Sequence, residues 1–518
     1  MPKPIHLAPT GLRLVCAGVC CLVSFPAWAL AAETNNAQLR GDYTFIFDGF
    51  RAGSSAAYAA VGRFTADGRG DLRQGEMDAN SAGASVVRHG ASFTGTYSVD
   101  ADHRGSMTWV VANGALTFAL ALTRNGNAEF VGAESGSGFG LVGSGTIIKA
   151  DVADFSTAAI SGDYAFGFSG FNISNRRTGL AGRFTANGAG VLTNASADLN
   201  EYSATQPVTF RSATYACFDT HSGRGAIRLD AVVGRRLRHF GFAFYMANAG
   251  TLLALGTDAV TRSAPLLHGS VLHQNTPPVG FRNADWKGDM VLFLTARTTC
   301  GSGWPALEML KGLLQAGCGM QTQPGPVVLA GLLSADGRGK LALTFDQNCG
   351  GVHASVTNLP GSYQVGSNGR TLITTRPYQA VAYLIDSRHA FMLGTDSSGL
   401  LEARDGSGPT PDLKSGLYAG RAAAPASPSA LVFTGRFNAA GNSPTGTLRG
   451  TEDIDSAPGT VRGSTFAASY SFASASTRGR GMLSSGSEQI AVMYVVSPDK
   501  FVAIPLHDPN PAVWVFER

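Results

Sequence analysis

The sequence predicts an all-β protein of four tandem eight-stranded antiparallel up-and-down barrels, with one helical insertion in the third. Three observations carry this expectation. First, one phrase repeats. Gly41-Asp42-Tyr43-Thr44-Phe45-Ile46-Phe47-Asp48-Gly49-Phe50, followed by Gly62-Arg63-Phe64-Thr65 and Asp67-Gly68-Arg69-Gly70, returns as Gly162-Asp163-Tyr164-Ala165-Phe166-Gly167-Phe168-Ser169-Gly170-Phe171, followed by Gly182-Arg183-Phe184-Thr185 and Asn187-Gly188-Ala189-Gly190. Weaker echoes begin near Gly288 and Gly416. Second, short β-type runs alternate with turn clusters at a spacing of roughly 8–12 residues, the pattern of an all-β barrel or sandwich. Third, charged residues make up only 15% of the chain and Gly is 66 of 518 residues, which suits a turn-rich β protein rather than a helical or disordered one.

Residues 1–29 have the layout of a secretory signal. Lys3 and Arg13 supply its positive charge, Leu12 to Phe25 its apolar stretch, and Ala27-Trp28-Ala29 its small-residue cleavage site. The expected location is therefore secreted, periplasmic or cell-surface, after cleavage near Ala29. The apolar run falls short of the ~20 residues that span a bilayer, and no later segment is long and apolar enough, so no membrane span is expected in the mature chain.

The first unit, residues 39–149, holds eight runs: 40–50, 57–66, 70–78, 91–99, 105–112, 115–123, 127–134 and 138–148. Their connections are short apart from 79–90, so neighbours should pair antiparallel. Asn-Gly and Asp-Gly pairs at Asn113, Asn125 and Asp67 tolerate the positive φ of tight hairpins. In the first run Tyr43, Phe45 and Phe47 alternate with Thr44 and Ile46. The aromatic row should face a core, with Thr44 and Ile46 more exposed. Eight strands in about 110 residues suit a closed barrel, which leaves no free edge; a two-sheet β-sandwich is the alternative.

The second unit covers residues 160–273 and is followed by a linker with Pro277 and Pro278. The third, residues 286–404, carries an insertion at 297–326 whose centre, Pro305 to Ala316, has a helical stripe of Leu307, Leu310, Leu313 and Leu314. Cys300 and Cys318 bracket that helix and are the candidate disulfide, with Cys349 as the other candidate partner and Cys217 expected to stay unpaired. The fourth unit, residues 413–518, is regular again and ends on Val513-Trp514-Val515-Phe516 as a closing strand.

Three columns recur across the units. Asp78-x-Asn80, Asp198-x-Asn200, Asp346-x-Asn348 and Asp453-x-Asp455 lack the further oxygens of a calcium loop, and are expected to make local turns at strand ends. Glu134, Asp258, Asp396 and Asp508 each offer one acid per unit, not the facing pair of a glycosidase, and are expected as turn acceptors. Tyr97, Tyr215, Tyr363 and Tyr470 are expected in the barrel cores, with hydroxyls satisfied at the rim. The histidines, His268 among them, share no column or metal-ligand spacing and are expected at surfaces or turns. No catalytic motif, nucleotide loop or metal signature is present, so no catalytic residue, metal ligand or cofactor is assigned. The formal charge of +4 gives no reason to expect a nucleic-acid partner.

In layout each unit resembles the calycin barrels, the lipocalins and avidins, which open their first strand with Gly-x-Trp. Here that place holds Gly41-Asp42-Tyr43, Gly162-Asp163-Tyr164, Gly288-Asp289-Met290 and Gly416-Leu417-Tyr418. The aromatic has changed, and the lipocalins' later Thr-Asp-Tyr is absent. The resemblance implies barrels that hold a ligand inside. The tandem pattern also looks like uncharacterised secreted repeat proteins of environmental bacteria, which bring no activity with them. The functional expectation is an exported repeat protein with a binding or surface-interaction role toward a small ligand or surface partner. The alternative is an enzyme with its site at the third barrel under the 297–326 insertion, where the repeat loses its symmetry.

Overall fold

The computed structural model describes residues 35–83, 88–112, 114–133, 140–201, 204–298, 325–375, 378–394, 397–403, 413–441, 444–456, 459–472 and 478–518. Barrel 1 comprises β1 (Arg40–Arg51), β2 (Ala57–Asp67), β3 (Asp71–Ser81), β4 (Arg88–Val99), β5 (Arg104–Val111), β6 (Gly114–Leu122), β7 (Ala128–Gly132) and β8 (Leu141–Lys149). Barrel 2 comprises β9 (Ser161–Phe171), β10 (Arg177–Asn187), β11 (Leu192–Glu201), β12 (Ala204–Asp219), β13 (Arg224–Val233), β14 (Arg236–Asn248), β15 (Thr251–Gly256) and β16 (Leu266–His273). Barrel 3 comprises β17 (Lys287–Thr298), β18 (Gly325–Asp336), β19 (Lys340–Cys349), β20 (Val352–Val365), β21 (Arg370–Thr375), β22 (Tyr378–Leu384), β23 (His389–Gly394) and β24 (Ser397–Ala403). Barrel 4 comprises β25 (Gly416–Ala423), β26 (Val432–Ala440), β27 (Thr445–Ser456), β28 (Gly459–Phe472), β29 (Arg480–Ser485), β30 (Glu488–Ser497), β31 (Lys500–Pro505) and β32 (Val513–Glu517). In each, consecutive strands pair antiparallel and the last returns to the first, so the sheet closes as a barrel and not as a sandwich.

The repeated phrase performs the same local tasks each time. Gly41, Gly162, Gly288 and Gly416 open their barrels at φ +114°, +102°, +112° and +135°, backbone that other residues rarely adopt. Gly62 and Gly182 let the first-strand ring lie flat against the second strand: a Cβ would come within 2.6 Å of Phe45 or 2.5 Å of Phe166. In the turn after the second strand, Asp67 Oδ1 accepts from the backbone N–H of Arg69, Gly70 and Asp71, and Asn187 and Asp336 do likewise.

Alternation places Tyr43, Phe45, Phe47, Tyr164, Phe166 and Phe168 inside their barrels, as the parity of the first strand predicts. The interiors are filled by side chains. In barrel 1, Phe45, Phe93, Trp109, Phe118 and Phe130 stand with ring centroids 4.4–6.5 Å apart, the packing expected where an eight-stranded barrel is just wide enough for its own residues. One end is closed by the residue before the first strand. Tyr97, Tyr215 and Tyr363 are buried and donate to the carbonyls of Leu39, Ile160 and Trp286 at 2.7, 2.6 and 2.8 Å, satisfying their hydroxyls at the rim.

On the outer face of the first strand Ile46 is more exposed than the inward rings, as expected, and Thr44 departs from expectation. Thr44 is fully buried, and its hydroxyl donates to the Met246 carbonyl of barrel 2 at 2.9 Å. Ile46 packs beside Leu253 and Leu255 of barrel 2. The reason is that the barrels are docked. The first three strands of each barrel pack on the last three of the next: β1–β3 on β14–β16, β9–β11 on β22–β24, β17–β19 on β30–β32, and β25–β27 on β6–β8. The fourth contact returns to the first barrel, so the four form a closed ring of head-to-tail interfaces. Three interfaces have their own apolar clusters, with Phe50, Val61, Phe171 and Tyr245 in the first, Ala181, Tyr383 and Phe391 in the second, and Val328, Tyr494 and Ile504 in the third; in the fourth Ala119, Val131 and Val142 join the core cluster of barrel 4.

The signal-like segment 1–29, the predicted helix at 305–316, Cys300 and Cys318 lie outside the described residues. Among those described, regular structure is strand apart from the short 3-10 turns Asn36–Gln38, Val152–Asp154 and Asn283–Asp285, and no helix is long and apolar enough to cross a membrane. Cys217 is a buried free thiol, and burial pushes its pKa up to about 11. Cys349 is also buried and pairs in register with Val327, two residues into the strand that follows the 299–324 segment. Peptide mapping of the non-reduced protein is expected to link Cys349 to Cys300 or Cys318 and to leave Cys217 free. A Cys217 cross-link would contradict this placement.

Candidate functional site

The recurring Asp column does not make the local turns expected of it. Asp78 on β3 accepts a bidentate pair from Arg224 on β13 of the next barrel, Nε at 2.7 Å and Nη2 at 2.9 Å, and a third bond from the Tyr245 hydroxyl at 2.9 Å. Asp198 receives the same three bonds from Arg370 and Tyr383 of barrel 3, at 2.7, 2.9 and 2.7 Å. Asp346 receives them from Arg480 and Tyr494 of barrel 4 at 2.6, 2.8 and 2.5 Å, with His353 Nε2 at 2.9 Å. The three Asp are at most 1% exposed. Burial pushes the Asp346 carboxyl up, but Arg480, His353 and Tyr494 outweigh it and hold the group well below the usual carboxylate range. Desolvation raises Tyr245, Tyr383 and Tyr494 well above the ordinary tyrosine value, so their hydroxyls keep the protons they donate. The companion amides also cross the interfaces: Asn80 donates to the carbonyls of Gly256 and Asp258, Asn348 to those of Pro505 and Asp508, and Asn200 to that of Gly394.

The ring closes differently between barrels 4 and 1. Asp453 meets Arg104 through one bond of 3.0 Å, and the register partner of Arg104 is Ala121, where the other barrels place the tyrosine. A second charge pair is added instead. Arg421 on β25 forms an ion pair with Glu129 on β7, and Thr434 and Arg436 donate to the carbonyls of Glu129 and Leu122. Burial pushes the Glu129 carboxyl up to about 7, with Arg421 opposing.

The first strands of the four barrels converge on a cavity of about 270 Å³. Barrel 1 contributes Asp48; barrel 2 Ser169, Arg177, His268 and Ser270; barrel 3 Phe293, Thr295 and Phe391; barrel 4 Arg421, Ala423 and Val513. Asp48, Ser169, Thr295 and Ala423 occupy the same position in the four repeats, so one face of the repeat, pointing away from its own core, builds the wall. Arg177 is 6% exposed. Its guanidinium lies 5.3 Å from the Phe171 ring and its Nη2 is 3.4 Å from Ser169 Oγ, while Nε has no hydrogen-bond partner. Burial pushes Arg177 down to about 10 against the pull of Asp48. Burial also lowers the pKa of His268, with Asp48 opposing and Arg177 adding to the shift.

Sequence reasoning placed none of these residues in a site. His268, expected at a surface or turn, is a half-buried wall residue because β16 lines the centre of the ring. Asp258 and Asp508 do accept at strand-end turns, from Gly241 N and Asn510 N at 2.9 and 2.8 Å, while Glu134 and Asp396 lie outside the described residues. The signal overlooked was a second column: Arg104, Arg224, Arg370 and Arg480 each begin the fifth strand of a repeat. Among the described residues no group of His, Cys, Asp or Glu could hold a metal ion.

No family model matches the chain, and no curated protein matches it. Among solved structures, one alignment covers 92% of this chain and 79% of BauA, the ferric preacinetobactin receptor from Acinetobacter baumannii, at 9% identity and a TM-score of 0.08, and carries no structural likeness.

Proposed function

We propose that the protein is an exported binding protein, secreted, periplasmic or at the cell surface, whose ligand site is the central cavity rather than the barrel interiors. The N-terminal 29 residues support export through their signal layout. The interior packing of barrel 1 supports a site elsewhere than inside the barrels, since Trp109 and its neighbouring rings fill the space that a calycin-like ligand would need. The observation that carries the reading is Arg177, a buried cation on the wall of a shared cavity whose Nε has no hydrogen-bond partner. A binding role also accounts for the ring, because a wall drawn from four repeats exists only while all four are docked.

Ser270→Trp, which puts an indole into the cavity, tests this. Wild-type protein screened by thermal shift and native mass spectrometry against small polar and aromatic molecules is expected to gain stability with a subset, by about 2.7 kcal/mol at a hundredfold excess over Kd. The variant should keep its fold and lose the response. A wild type that responds to nothing, or a variant that responds equally, removes the central cavity as the site.

A further inference from the structure

We propose that the central cavity takes a small monocarboxylate with a compact apolar body, its carboxylate held by the Nε and Nη2 edge of Arg177 and its body against Phe293 and Phe391; this rests on the binding reading above. A guanidinium taken out of water needs an anion or several acceptors, or the cost runs to several kcal/mol. Most strongly buried charges at the interfaces have such a partner, Asp78, Asp198 and Asp346 their arginines and Glu129 its Arg421; Arg436 between barrels 4 and 1 has, among the described residues, only the Leu122 carbonyl, but it does not line this cavity. Arg177 has one long contact to a hydroxyl and a ring beneath it. Its Nε and Nη2 form the edge that grips a carboxylate with two parallel bonds.

The surroundings narrow the class. Thr295 carries a buried hydroxyl without a partner on the barrel 3 wall, a second donor for the same acid. Asp48 faces the same cavity and is set against a dianion such as a phosphate monoester, which would bring a second negative charge beside it. The volume is about that of nine liquid waters at ~30 Å³ each, enough for one ring or a short branched chain.

Titration calorimetry on the full mature chain, with benzoate, benzyl alcohol and benzylamine as probes, tests the assignment. Benzoate is expected to bind at least tenfold more tightly than benzyl alcohol, and Arg177→Gln to abolish that preference by weakening benzoate far more than benzyl alcohol, which still binds. The alcohol thus reports an intact cavity in the variant. Should R177Q fail to fold, the wild-type ranking still decides. Benzylamine bound most tightly would make Asp48 the anchor and overturn the carboxylate assignment, as would equal binding of all three, and both would leave the cavity as a binding site. Failure of all three, alongside no response in the wider screen, would overturn the binding reading itself.

Discussion

Replacing Asp346 with alanine is expected to destabilise the protein by about 3–5 kcal/mol, the cost of breaking a buried ion pair from one side. The carboxylate accepts from Arg480, Tyr494 and His353, and its removal strands a guanidinium and a phenol between barrels 3 and 4. Equilibrium denaturation gives the loss, and hydrogen exchange locates it. Faster exchange should appear in β19, β29 and β30 together, because these strands meet at the interface. A loss under about 1 kcal/mol, or one confined to barrel 3, would refute the account. The pH dependence has a definite sign. Asp346 is held below its unfolded value, so its contribution is complete above the ordinary carboxylate pKa of about 3.9. It is lost as the pH falls through the lower folded value. Asp453→Ala should cost clearly less, since Arg104 keeps a second acid in Asp102 at 2.8 Å.

The second large effect is a sign reversal at the closing interface. At the positions of Arg421 and Glu129, the first interface has Ile46 and Leu253. Arg421→Ile alone, or Glu129→Leu alone, leaves one buried charge unpaired and should cost about 3–5 kcal/mol. The double variant rebuilds the apolar pair used elsewhere in the ring and should be neutral or more stable than wild type by about 1–4 kcal/mol. Additive losses in the double variant would show that the pair does not act as a unit. Glu129, raised to about 7 by burial, also gives the wild type a pH signature. Its folded pKa exceeds the unfolded one, so stability falls as pH rises from about 4.3 toward 7, and the double variant should lose that slope.

A charge pair in place of an apolar one costs stability but marks the interface. Three of the four junctions share the Asp–Arg–Tyr arrangement and could exchange partners between copies of the chain. The closing junction carries a different code, Glu129 against Arg421 without the tyrosine. That difference favours barrel 4 docking on a barrel 1 rather than on a barrel 2 or 3, as polar groups set register in other assemblies.

What the sequence determined by itself is whatever lies within about ten residues or repeats without change. The Tyr43-x-Phe45-x-Phe47 row dictates which face turns inward, because strand side chains alternate with a period of two. Asp67-Gly68-Arg69-Gly70 builds its own turn from its own backbone. The short connections enforce antiparallel neighbours, and eight such strands in a row leave a closed barrel as the form without free edges. Only the tertiary structure decided what the outward face does. Thr44 reads as exposed because a single barrel would leave it in water; docking buries it under Met246, 202 residues away. Asp346 reads as a turn residue because its nearest arginine partner is Arg480, 134 residues on and in another barrel. The central cavity is further from view still. It belongs to no repeat, and Asp48, Arg177 and Thr295 come within reach of one another only when four closed barrels pack side by side. The physical reason is range. Turn geometry and side-chain parity act between neighbours along the chain, whereas ion pairs and apolar clusters between barrels depend on which faces remain after each barrel has closed.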